Sequence, residues 1–110
     1  MALTFGNSHG ALNGTTPVDV VAAPAASTQR VVRNVVFHNR DSAAVVITLR
    51  LDDGGTERVL DIQTVQPGES WIYAVTTVLA DTDHKLEAVM SGAAATTNPD
   101  FVAAWADKTA

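Results

Sequence analysis

The 110-residue sequence has no cysteine, two lysines, three glutamates and six aromatic side chains, and only 17% of its residues are charged, where about a quarter is usual. Without cysteine there are no disulfides, thiolate metal sites or cysteine nucleophiles, which excludes a disulfide-stapled secreted scaffold. A formal net charge of −5 with no basic cluster lacks the Lys and Arg on one face that phosphate-backbone binding needs, so nucleic acid is not an expected partner. No stretch approaches the roughly eighteen apolar residues of a membrane span. Met1 to Gly10 has neither the basic nor the apolar region of a secretory signal. The expectation is a soluble protein with no membrane contact and no export signal.

What is present is a hydrophobic share of 46%, made mostly of Ala and Val, in a length that suits one domain. Short apolar runs alternate with clusters of Gly, Pro, Asp, Asn and Ser, the rhythm of an antiparallel β protein. Val45 to Leu51 is the cleanest run: Val45, Ile47, Leu49 and Leu51 share one face, and Val46, Thr48 and Arg50 the other. Asp52-Asp53-Gly54-Gly55-Thr56 follows, with two glycines suited to φ > 0, and then Glu57 to Val65, so a β-hairpin is predicted with Arg50 and Glu57 facing across it. Gln66-Pro67-Gly68-Glu69-Ser70 reads as a type II turn. Trp71 to Leu79 is apolar on both faces, which predicts a strand covered on both sides, with a subunit contact as one source of that cover. Asp81-Thr82-Asp83-His84 turns the chain into Leu86 to Met90, a second predicted hairpin.

Pro17 to Ala23 and Arg30 to Asn39 read as earlier strands, separated by a loop at Pro24. After the break at Asn98-Pro99-Asp100, Phe101 to Trp105 reads as a last strand, with a short alanine-rich helix as the alternative. The fold class is therefore all-β: an antiparallel β-sandwich of about seven short strands. Met1 to Thr15 has little periodicity and is expected as an extended N-terminal arm ordered against a neighbour, with residues 16–110 as the single sandwich domain.

Catalytic and metal patterns are missing. His9, His38 and His84 fall in different segments with no metal-ligand spacing. Asp81, Asp83 and His84 look like the opening of a cation loop but lack its remaining ligands, so an ordinary turn is the better account. No Gly-x-Ser-x-Gly elbow surrounds any serine, and no Gly-rich phosphate loop is present. The expectation is a protein that is not an enzyme and carries no cofactor or metal. Among the aromatic residues, Phe5, Trp71, Tyr73, Phe101 and Trp105 are the candidate protein-interface residues, shared with a role as core anchors. An exposed Trp71, Tyr73 or Trp105 would instead make a sugar-stacking platform. Arginines outnumber lysines five to two, a bias that suits ion pairs held in an interface.

Four stretches together resemble small structural proteins of tailed bacteriophages, the capsid decoration or cement proteins and the head or tail accessory subunits. They are Val31-Val32-Arg33-Asn34-Val35-Val36-Phe37-His38-Asn39, the Asp52-Asp53-Gly54-Gly55-Thr56 hairpin, the turn Gln66-Pro67-Gly68-Glu69-Ser70-Trp71, and Val78 to Ala88 with the small-residue stretch ending in Thr96-Thr97-Asn98-Pro99-Asp100. The likeness runs from about Arg30 to Trp105. It implies an Ig-like or jelly-roll sandwich and a virion subunit assembled in the host cytoplasm. That subunit would bind the major capsid protein or other virion proteins and form a homo-oligomer, a trimer in the expected case. It carries over no catalytic residue. A tail, head–tail adaptor or fibre-base subunit is the alternative within virions, and a carbohydrate-binding β-sandwich module the alternative outside them.

Overall fold

The computed structural model describes residues Leu3 to Thr109; Met1 and Ala2, where the expected arm begins, and Ala110 lie outside the described residues. The described residues form no helix and nine strands: β1 (Leu3–Ala11), β2 (Val18–Val21), β3 (Thr28–His38), β4 (Val45–Asp53), β5 (Thr56–Val65), β6 (Ser70–Tyr73), β7 (Thr77–Leu79), β8 (His84–Met90) and β9 (Asp100–Thr109). Two antiparallel sheets pack face to face. The first runs β1-β9-β3-β6, with β7 also on β3, and the second runs β2-β8-β4-β5. The expected all-β sandwich thus takes its jelly-roll form. Pairing β1 with β9, β2 with β8, β3 with β6 and β7, and β4 with β5 is the pairing of one long hairpin wound into two layers.

The tip of that hairpin is the predicted turn. Asp53 pairs with Thr56 across Gly54 and Gly55, whose φ values of 60° and 98° give the two-residue loop that matches strand twist. The Asp52 carboxylate accepts the Gly55 amide at 2.8 Å. Along β4, Val45, Ile47 and Leu49 point into the sandwich and are buried, as their alternation predicts.

Three segments differ from the sequence reading, which also raises the strand count from seven to nine. Trp71 to Leu79 is not one strand but two, β6 and β7, both on the same edge of β3. The break falls opposite a bulge in β3, where Val32 pairs with Trp105 and Asn34 with Ala104 and Arg33 is left over. A bulge bends its strand and interrupts the ladder, so an edge strand beside it loses register. The turn at Asp81–Asp83 does not close a hairpin. Leu79 lies in the first sheet and Leu86 in the second, both fully buried, so the turn carries the chain between layers.

The third difference is at the N-terminus, where Leu3–Ala11 of the expected arm forms an edge strand paired with β9 over nine consecutive residues. Its periodicity is hidden because glycines occupy inward positions. Gly6 faces Trp105 and Gly10 faces Phe101. A Cβ at Gly6 would fall on the Trp105 ring, and one at Gly10 would sit 3.1 Å from Phe101. The aromatic rings of β9 supply the packing that β1 lacks, a known way of stabilising glycine in an edge strand.

The core is a Val and Leu layer around Phe37, which stacks on Trp71 with centroids 5.0 Å apart. Each fully buried side chain of this size contributes roughly 1.5–3 kcal/mol. One polar node is buried beside it. Asn39 donates to the carbonyls of Ala43 and Val65 and accepts the Asp41 amide. The Asp41 carboxylate accepts the amides of Ala95, Thr96 and Thr97 and the Thr96 hydroxyl, which pins the 93–97 loop to the β3–β4 corner. These donors, the Ala95 amide foremost, hold the Asp41 carboxyl well below the usual carboxylate range, against the opposing effect of its burial. A carboxylate whose pKa is lowered by folding stabilises the fold above its unfolded value and loses that contribution as pH falls. Thermal melts of the protein are expected to hold steady from neutral pH downward and to fall below about pH 4. Asp41→Asn is expected to melt lower than the wild type at neutral pH and to show a shallower acid decline.

Candidate functional site

The two sheets present outer faces of opposite character. Residues directly opposite in an antiparallel ladder share a face, so the registers define rows across the first sheet. One outer row runs Phe5, Ala106, Val31 and Val78, and another runs His9, Val102, Val36 and Ile72. Phe5 is 70% exposed, Ile72 63%, Leu3 57%, Val102 52% and Val78 48%. Five of the eight large hydrophobic side chains that are exposed among the described residues therefore lie on this one face. The charged residues at its ends are Asp100, paired with Arg40 at 3.1 Å, and Lys108, opposite Leu3. Contiguous exposed apolar surface of this kind marks interaction sites, whereas single exposed apolar residues do not.

The outer face of the second sheet carries a charge network, with the exposed Val59 and Ile62 of β5 at its edge. Arg50 donates to Glu87 at 2.7 Å and lies 3.1 Å from Glu57, the cross-hairpin pair expected from sequence. Lys85 sits 3.0 Å from Asp19 and 3.9 Å from Asp52. The hydrogen bond to Asp19, foremost among these contacts, raises the Lys85 pKa above its ordinary value. Glu87 is only 4% exposed, so Arg50 satisfies a carboxylate that water cannot reach.

Of the candidate interface residues, Phe5 lies on the outer apolar face. The structure does not bring the other four there. Phe101 is buried in the core, and Trp71 and Tyr73 are half-buried against it, meeting edge to face at 6.3 Å. Trp105 lies half-buried over Gly6, donates to the Ser8 hydroxyl at 3.1 Å, and carries the Arg30 guanidinium 3.9 Å from its ring centroid. Arg30 is fixed there by a two-pronged contact with Asp107 at 2.8 and 3.0 Å. The rings proposed for sugar stacking thus face the sandwich interior or are covered. Ile72, Val78 and Val102 were not singled out from the sequence, although the second apolar face of Trp71 to Leu79 carries part of the signal.

The Asp81 carboxylate serves its own turn, accepting the Asp83 amide at 3.3 Å. His84 Nε2 instead meets Asp53 at 3.3 Å. Among the described residues no group of three or more His, Asp or Glu side chains is arranged to hold a metal ion. A concavity of about 580 Å³, open to solvent, lies between the Ala25–Gln29 and Ala80–Thr82 segments and the end of β9; among the described residues its titratable lining is Asp81 and Lys108.

No protein-family model matches the chain, and no curated protein matches it in sequence. Solved structures do match in fold. PirA superposes with a TM-score of 0.54 at 15% identity, covering 91% of this chain and 92% of that one. A chain of the cyanophage Pam1 capsid asymmetric unit gives 0.52 at 17%, covering 99% and 84%. A subunit of the disulfide-linked pili of Bacillus endospore appendages gives 0.51 at 12%, covering 99% and 91%. At these identities the likeness is one of fold.

Removing Arg50 strands the buried Glu87 carboxylate, which typically costs about 3 kcal/mol. Removing Arg40 breaks an exposed pair worth less than about 1 kcal/mol. Urea unfolding of Arg50→Ala and Arg40→Ala is expected to separate the two by this margin. Equal losses would mean that the Arg50–Glu87 pair is no stronger than a surface contact.

Proposed function

We propose that this protein is a non-catalytic structural subunit of a bacteriophage particle, a capsid decoration or cement protein that stabilises the shell through protein–protein contacts. The observation that carries the reading is the apolar outer face of the first sheet, set against the charge network on the second. A subunit that adds to a preformed shell needs one face that gains by leaving water and another that remains hydrated. The face around Phe5, Val102, Ile72 and Val78 meets the first requirement, and the outer face of the second sheet, where Glu57, Asp19 and Lys85 reach solvent, meets the second. The fold shared with a chain of the Pam1 capsid supports the choice of a shell as the assembly. The fold shared with endospore pili supports an assembling role more generally, although disulfide linkage is closed to a sequence without cysteine.

Partners on this reading are the major capsid protein or other virion proteins, and the site of action is the virion. A ligand that binds only the assembled shell stabilises it by mass action, about 3 to 4 kcal/mol at 100 to 1,000 times its Kd. Shells carrying the wild-type protein are expected to release DNA at a higher temperature than bare shells. Ile72→Asp combined with Val102→Asp is expected to abolish the protection while leaving the melting of the free protein nearly unchanged, since both positions are already solvent-exposed. Equal release temperatures with and without wild-type protein would exclude a cement role. Recovery of the protein with purified tails rather than heads, by mass spectrometry, would favour a tail or adaptor subunit.

A further inference from the structure

A sandwich has four sheet edges, and three of them here are protected against pairing with another chain. β2 is four residues long, carries Asp19, and has a register shift after it, with Pro17 and Pro24 on either side. β5 carries Glu57, Arg58 and Asp61 and is bulged where its register skips Leu60. The edge formed by β6 and β7 is split into pieces of four and three residues. Short edges, charges, prolines and bulges are the usual devices against edge-to-edge association.

β1 has none of these devices. Its nine residues, Leu-Thr-Phe-Gly-Asn-Ser-His-Gly-Ala, contain no Lys, Arg, Asp, Glu or Pro. They pair with β9 without a register shift, so the strand is regular and its far side is unpaired by any described strand. On the same strand Leu3 and Phe5 stand exposed on the outer face, with cross-strand cover on the β9 side alone.

We infer that β1 is a self-association edge: the Leu3–Ala11 strands of two copies pair antiparallel about a two-fold axis at Asn7, joining their first sheets into one. An edge that pairs with itself does so isologously, which fixes the two-fold. Centring the axis on Asn7 uses all nine residues. It places Phe5 opposite His9 of the second copy and Leu3 opposite its Ala11, so each exposed ring gains a cross-strand neighbour. On the inner side Gly6 meets Ser8 and Thr4 meets Gly10, small residues that leave the ladder unobstructed. A second copy is favoured over other occupants because the strand is its own complement in this register: all nine residues find a partner, the inner positions oppose only small side chains, and no charged side chain is brought into the seam to add to the repulsion of two chains of −5 each. The joined sheets make the apolar outer faces of the two copies continuous. The inference does not depend on the virion reading, because it concerns the isolated protein.

Sedimentation velocity and site-directed cross-linking of the full chain test it. The wild type is expected to sediment as a concentration-dependent dimer. Asn7→Lys places two ammonium groups opposite each other at the axis and is expected to weaken the dimer roughly tenfold or more, with circular dichroism reporting retention of the fold. Asn7→Cys introduces a lone thiol at a position where paired strands lie within disulfide reach. It is expected to cross-link under mild oxidation far faster than Ile62→Cys on the β5 edge, and this readout decides the matter should Asn7→Lys fail to fold. A monomer at every concentration, a trimer, or cross-linking of Asn7→Cys no faster than that of Ile62→Cys would overturn the assignment. None of these results would bear on the shell-release experiment.

Discussion

The structure depends on one constraint, that the two halves of the chain pair as a single long antiparallel hairpin whose tip is Gly54-Gly55. From that tip the pairing of β4 with β5, β3 with β6 and β7, β2 with β8 and β1 with β9 proceeds outward, and the winding of this ribbon makes two sheets. Alternating side chains on each strand then meet in one interior, which is why β4 buries Val45, Ile47 and Leu49 and β8 buries Leu86, Ala88 and Met90. Outside the β4–β5 hairpin most contacts are consequently long-range in sequence, and chain-closure entropy opposes each pairing until its neighbours are in place. The buried Asn39–Asp41 node secures the corner where β3 leaves the first sheet for the second, tying it to the Pro67-Gly68 turn and to the 93–97 loop.

A two-layer sandwich of this size has a single thin core, so functional surface comes from the outer faces and the edges. Here those surfaces are differentiated. The second sheet is faced with ion pairs and its β5 edge is charged, which keeps that side hydrated. The first sheet is faced with valine, isoleucine, alanine and phenylalanine, and its β1 edge is neutral and regular. Both features lie on one sheet. The residues that the sequence placed near one another, Asp81, Asp83 and His84, are divided between turn formation and a contact of His84 with Asp53.

Much of the fold was legible because turn chemistry and period-two alternation are local. The β4–β5 hairpin and its Arg50–Glu57 contact, the Pro67-Gly68 turn and the strand at Phe101 all follow from adjacent residues. β1 was not legible, because Gly6 and Gly10 take inward positions and the rings that fill them belong to Trp105 and Phe101, about a hundred residues away. The split of Trp71 to Leu79 was hidden for a related reason, since its cause is a bulge at Arg33 in a different strand. The apolar outer face was legible in part: Trp71 to Leu79 reads as apolar on both faces, and the structure leaves the face of Ile72 and Val78 exposed rather than covered, with Phe5 on the same side of the sheet. Trp71, Tyr73, Phe101 and Trp105 look the same in sequence whether they face the core or a partner.

By itself the sequence determined the β class, the places where the chain turns, and the absence of disulfides. Spacing of apolar residues and the conformational demands of Gly, Pro and Asp are sufficient for those. Only the tertiary structure decided which strands are neighbours, which face of each strand is outward, and which edges are left open. An alternating strand is symmetric between its two faces until pairing fixes one of them against a partner layer. The low charge with abundant Ala and Val therefore acquired a location only when the wound hairpin set Val102, Val36 and Ile72 side by side on one exposed face.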